Sequence, residues 1–249
     1  MSDRLQKILK ENAEFEKKSP YNFCDRWCER CPHEKQVRCR LYLDEFECKA
    51  TCIAHGKDED DLEITEAIME AQYKEVDDML NKQIEKFGID LDNPDIDEKW
   101  LSEENAVDFE DLPLDMQKHI RFVESNPLDH TAKQYRNKAH SFLESTFYKN
   151  EAVKPESKYD FQVISWYHTL LEVKLHRALC GFHEPAVDGD MSLCDAVAQF
   201  EICKKAASQS IIALRKIKDD LPDCRNQISE LIALLHNIHS RIEALLASI

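Results

Sequence analysis

Apolar residues near the end of the chain alternate at spacings of three and four: Ile228, Leu231, Leu235, Ile238, Ile242, Leu245 and Ile249. A seam of this kind runs along one face of a helix and packs against a neighbour at a shallow angle, as in a four-helix bundle or a coiled coil. The same period predicts three helices ahead of it. One begins at the Asn126-Pro127 cap and runs to about Asn150, with Ala132, Tyr135, Ala139, Phe142 and Thr146 on a stripe. The next, over about 156–180, carries Phe161, Ile164, Leu171, Leu175 and Ala178 and stops at Gly181. The third runs from about Ser192 to Asp220, and Leu221-Pro222-Asp223 turns the chain into the last. These four helices predict a bundle with the final seam in its core; a homodimer joined through the C-terminal helix is the alternative.

Upstream, residues 3–18 predict a short amphipathic helix with Leu5, Ile8, Leu9 and Phe15 on one stripe. Ser19-Pro20 closes it, because proline disfavours α geometry in the residue before it. Helical patterns around 22–31 and 40–55, joined by the polar turn Pro32-His33-Glu34-Lys35-Gln36, predict a hairpin ending at Gly56. After an acidic run at 57–61 comes a long helix with Leu62, Ile64, Ile68, Met69, Val76, Leu80 and Ile84 as its apolar positions. From Gly88 to about Leu114 the pattern breaks into a connection with one short helix capped near Ser102. The expected organisation is 1–57, an N-terminal helix and Cys-rich hairpin; 58–123, an acidic helix and connector; and 124–249, the helical bundle.

Only 4 glycines and 8 prolines in 249 residues leave few turn-makers, which strengthens the all-α reading. The net charge of −16 is concentrated in 58–123, where 22 Asp and Glu stand against 6 Lys and Arg. An acidic balance disfavours phosphate-backbone binding, so nucleic acid is not the expected partner; the partner stays open, a protein being one option. No apolar run is long enough to span a membrane and the first residues lack the apolar core of a signal peptide, so a cytoplasmic location is expected.

Six of the ten cysteines fall within residues 24–52. Cys24, Cys28 and Cys31 are spaced C-x3-C-x2-C, and the spacing returns in Cys48, Cys52 and His55. On a helix, positions i, i+4 and i+7 share one face, so each triplet would present soft or borderline ligands in one direction. In a reducing compartment such a cluster serves a metal more often than a disulfide framework. Cys24, Cys28, Cys31 and Cys39 make one four-ligand set; Cys48, Cys52, His55 and His33 offer a second, and a mixed site is the other arrangement. Four thiolates, or three and a histidine, suit zinc. The Cys31-Pro32 step and the spacing suit a [4Fe-4S] cluster equally. The same spacing resembles radical S-adenosylmethionine enzymes, but their β/α barrel has no counterpart in this pattern. Cys180, Cys194, Cys203 and Cys224 lie in apolar helices and are read as packing residues.

A second metal site is conceivable where His140 and Glu144 repeat the His-x3-Glu spacing of His168 and Glu172, with His176 a turn further on, although a core histidine paired with a carboxylate is the simpler reading. Lys174 and Arg177, in a mostly buried helix, imply carboxylate partners or an anionic ligand, the former being preferred. Arg177 and His183 fit the loose R-x5-H pattern of HEPN-type helical ribonucleases. The acidic stretch Asp90, Asp92, Asp95, Asp97 and Glu98 lacks the glycine and closing glutamate of a calcium loop.

Through Cys24-Asp25-Arg26-Trp27-Cys28-Glu29-Arg30-Cys31-Pro32, together with the helix from Trp166 to Leu179, the chain resembles a family of uncharacterised bacterial proteins. The resemblance implies a bacterial source and a Cys motif linked to a helical body, and it carries over no catalytic residue. The expected function is a zinc or iron–sulfur binding or regulatory module, in which metal replaces core that a small hairpin lacks. A metalloenzyme or redox protein is the rival, and a helical ribonuclease comes third.

Overall fold

The structure, a computed structural model, describes residues 2–87, 109–149, 155–183 and 191–249. Among these residues there are helices and no strands, so the chain is all-α. In order the helices are α1 (Asp3–Glu16), α2 (His33–Gln36), α3 (Arg40–Ala54), α4 (Leu62–Phe87), α5 (Leu114–Glu124), α6 (Pro127–Leu143), α7 (Pro155–His183), α8 (Met191–Asp220) and α9 (Arg225–Ala247). No helix among the described residues is long and apolar enough to cross a membrane. The acidic stretch at 90–98 and the short helix expected near Ser102 lie outside the described residues.

The chain divides into two compact units, Met1–Cys31 with Leu114–Ile249, and Pro32–Pro113. The block expected over 1–57 is therefore divided between them, at the step from Cys31 to Pro32.

In the first unit, α6 packs on α7, α7 on α8, α8 on α9, and α9 returns to α6. The apolar stripes read from the sequence are the core of this arrangement: Tyr135, Phe142, Ile164, Leu171, Leu235 and Ile238 are all fully buried. α1 adds Leu5 and Ile8 against α8, and α5, which the sequence pattern did not reveal, adds Val123. Local chemistry fixes the ends. The Ser2 hydroxyl accepts from the Leu5 N–H at 3.1 Å, and the Asn126 side chain accepts from the Leu128 N–H at 2.9 Å with Pro127 in the first turn. α6 continues into a π-helical turn at Glu144–Tyr148. α7 runs two residues past the stop expected at Gly181. This glycine serves close packing instead: a Cβ there would stand 2.8 Å from the Ser192 carbonyl oxygen at the start of α8.

In the second unit, α3 packs against α4. Here the glycine stop is as expected. Gly56 has φ +71°, its N–H donates to Ile53 O at 2.8 Å, and the Lys57 N–H reaches back to Cys52 O at 3.1 Å, which satisfies the terminal carbonyls of α3. The apolar positions of α4 fare differently from those of α6 to α9: Leu62, Met69, Val76 and Leu80 are exposed.

The helix expected over 22–31 is absent. In its place are 3-10 turns at Pro20–Phe23 and Cys28–Arg30, separated by irregular backbone. The Trp27 N–H donates to Asp25 Oδ1 at 3.3 Å and Arg26 takes φ 55°, a left-handed geometry that no helix accommodates. The side-chain bonds described next outweigh the helical ladder this segment would otherwise form.

Candidate functional site

The Cys24–Cys31 loop is bolted to the α7/α8 face through its non-cysteine residues. Trp166 Nε1 donates to the Asp25 carbonyl at 2.9 Å, the Tyr167 hydroxyl donates to Asp25 Oδ2 at 2.7 Å, and Lys205 Nζ donates to the same oxygen at 2.9 Å. Trp27 stacks on Trp166 at 5.3 Å between centroids and meets Tyr167 edge-on at 6.0 Å. The Arg30 guanidinium lies over Trp27 at 4.1 Å and near Tyr159 at 5.3 Å. Burial alone would raise the Asp25 pKa, but the Tyr167 hydroxyl, Lys205 and the Trp27 N–H together hold it below the ordinary carboxylate value. Burial and the Asp25 carboxylate push the Tyr167 phenol well up, so it remains a donor.

This anchor was not read from the sequence as a set of contacts. Its signal was present: Trp27 stands in an otherwise polar segment, and Trp27 and Trp166 are two of only three tryptophans in the chain.

Within the loop, the Cys31 N–H donates to Cys28 O at 3.1 Å, closing a tight turn across the C-x2-C pair. In the second unit the His55 N–H donates to Cys52 O at 3.1 Å, so the C-x2-H pair has the same turn. Cys48 and Cys52 share a face of α3; Cys52 is fully buried and the Cys48 thiol lies 3.9 Å from Thr65 Oγ1. Cys39 is the buried N-cap residue of α3, nine positions before Cys48, which at about 1.5 Å per residue separates them by roughly 13 Å along the axis. Cys39 therefore does not share an ion with Cys48, Cys52 and His55. His33 opens the short α2. All ten cysteines are thiols, not disulfides. Among the described residues, no group of three or more His, Cys, Asp or Glu side chains is gathered closely enough to hold a metal ion.

The histidine and carboxylate candidates on and just after α6 and on α7 are only partly brought together. His140 and His168 stack at 5.8 Å between ring centroids, but Glu144 pairs with Lys149 at 2.6 Å and Glu172 with Arg136 at 2.9 Å. The His168 Nδ1 faces Ser165 O at 2.7 Å, and burial holds its pKa below the usual histidine value. His176 bonds the buried Asp129 at 3.2 Å. The R-x5-H pair is likewise engaged elsewhere: Arg177 makes two 2.8 Å bonds to Asp195, and His183 stacks on Phe122 at 3.8 Å. Of the four outlying cysteines, Cys203 is fully buried, its thiol 3.7 Å from Leu171 O and its pKa driven far up by burial.

No family model, no curated protein and no solved structure matches the chain.

Proposed function

We propose that this is a metal-binding helical protein in which Cys24, Cys28 and Cys31 bind zinc or one face of an iron–sulfur cluster. The observation that carries the reading is the loop itself: three thiols within eight residues, two of them across a tight turn, on a segment fixed to the helical body by Asp25 and Trp27. A loop immobilised by its other side chains loses less entropy when an ion draws the thiols together, so the anchor favours binding. Cations add to this. Arg26, Arg30 and Lys174 flank the segment, and positive charge stabilises thiolates and the net negative charge of a metal–thiolate centre.

In this reading the four helices α6 to α9 are a four-helix bundle that carries the loop, and the protein is a binding or regulatory module. Cys48, Cys52 and His55 are a second ligand set of the same spacing. Loss of metal would loosen the loop while leaving the bundle folded.

The test is the anaerobically purified protein, assayed for metal and for visible absorption. A brown protein with a broad visible band identifies an iron–sulfur cluster; a colourless protein with bound zinc, whose loop becomes protease-sensitive on chelation, identifies a structural zinc site. A metal-free protein whose loop resists protease as well before chelator as after it would end the proposal.

A further inference from the structure

α4 has two unlike sides. Ile64, Thr65 and Ile68 are half-buried, and Thr65 meets the Cys48 thiol of α3, so this is the side that packs. A different row stays open. Leu62, Met69, Tyr73, Val76 and Leu80, at spacings of seven, four, three and four, follow the register of a helix–helix seam, and between 43% and 75% of each is exposed. The row runs for about 27 Å at 1.5 Å per residue. Large apolar side chains exposed singly are ordinary, whereas five in one continuous row mark a contact surface. The comparable seam of α9 is already used: Ile228, Leu231, Leu235, Ile238 and Ile242 are fully buried, so it is not the surface of a homodimer.

Charge indicates what completes the row on α4. The helix carries seven acidic residues against three lysines. Glu66, Glu70 and Asp77 follow one edge of the row, exposed and without an ion pair among the described residues. At 3.6 residues per turn, Lys74, Lys82 and Lys86 fall roughly a third of a turn or more from its centre. A second copy is therefore a poor match in either direction. Paired antiparallel, with Met69 opposite Leu80 and Tyr73 opposite Val76, it sets Glu70 beside Asp77 of the other copy; paired parallel, it sets Glu66 against Glu66. Residues 88–108, which follow α4 in the chain, carry eight acidic residues against one lysine and are no better matched. The same acids repel an anionic lipid surface.

We propose that the exposed face of α4 docks a basic amphipathic helix of another protein, its apolar seam laid along Met69, Tyr73, Val76 and Leu80 and its lysines or arginines set on Glu66, Glu70 and Asp77. Such a partner supplies the two things the face lacks, an apolar seam of equal period and positive charge along one edge. None of these residues is a candidate metal ligand.

The experiment titrates the full-length protein, by fluorescence anisotropy, into a labelled synthetic peptide of leucine and lysine whose leucines keep the three-and-four spacing. A peptide of the same composition with its leucines scattered off one face measures attraction by charge alone. The seam peptide binds at least about tenfold more tightly than the scattered one. Tyr73→Ala with Leu80→Ala, exposed changes that leave the net charge as it is, removes at least about tenfold of that affinity, while Ile212→Ala, exposed on α8, removes none. Glu66→Gln, Glu70→Gln and Asp77→Asn together leave the apolar row intact, weaken binding several-fold and flatten its dependence on salt. Sedimentation of the parent gives a single chain of 29.1 kDa. Failure to bind, equal affinity for the two peptides, undiminished binding in the Tyr73→Ala, Leu80→Ala variant or in the neutralised variant, or a parent dimer that Leu80→Glu dissociates each overturns the proposal, the last by giving the face to a second copy.

Discussion

Both units carry apolar residues at helical spacings, yet they bury them to different extents. In the first, stripes on α6, α7, α8 and α9 meet one another and vanish from the surface. In the second, α4 carries a looser stripe, of which Leu62, Met69, Val76 and Leu80 remain exposed while Ile64, Ile68 and Ile84 are half-buried. Periodicity states which face of a helix is apolar; burial also needs a second face of matching length. Helices α6 to α9 have such faces in order along the chain, whereas α4 has α3 alone among the described elements it packs against.

The sharpest way to break this comparison is a matched pair of truncations. Leu171→Ala, in the fully buried core, is expected to lower unfolding free energy by about 2–5 kcal/mol. Leu80→Ala, on the exposed face of α4, should change it by no more than about 0.5 kcal/mol. Equal losses in denaturant titrations would mean that α4 is buried as deeply as α7.

Next in size is the loop anchor. Asp25→Ala removes the acceptor shared by Tyr167 and Lys205 and should cost roughly 2 kcal/mol, with faster proteolysis within 24–31 as the local readout. Stability lost without loop cleavage would show that the anchor supports the helices and not the loop.

The two informative glycines then sharpen the contrast. Gly181→Ala forces a Cβ against the Ser192 carbonyl, and repacking of α7 on α8 should cost about 1–3 kcal/mol. Gly56→Ala meets no atom and is strained only by its positive φ, so about 1 kcal/mol is expected. Thermal melts of both variants rank the two effects.

The smallest effect is that of acid. Burial lowers the pKa of His168, and burial with His119 lowers that of His183. A histidine whose folded pKa lies below its unfolded value of 6.5 takes up protons preferentially when unfolded. Stability is therefore complete above pH 6.5 and falls as pH drops through that value toward the folded pKa. His168→Gln should flatten the slope of melting temperature against pH between about 7 and 5. An unchanged slope would assign the acid sensitivity elsewhere.

Helices α6 to α9 were legible because their signals are local and redundant: a capped start at Asn126-Pro127, stripes of five residues on α6 and α7 and of seven on α9, and the Leu221-Pro222 turn. α5 was missed because it is short and has a single deeply buried apolar residue, Val123. The loop over 24–31 was misread as a helix for a different reason. Its cysteine spacing does fit a helical face, but Asp25 and Trp27 are recruited by residues some 140 to 180 positions away, and no local pattern reports such bonds. Conversely, the cations of α7 were legible as a question. Sequence offered two answers, a carboxylate or an anionic ligand; Arg177 took the first, bonding Asp195, while no ion pair to Lys174 forms among the described residues.

The central claim is that the anchored loop holds metal through its thiols, and metal content per chain across three variants tests it most directly. Cys28→Ser and Cys31→Ser are expected to lose the metal of the first unit, while Cys203→Ser, changed at a buried packing thiol, keeps the parent's full complement. Identical metal content in all three proteins would contradict the account.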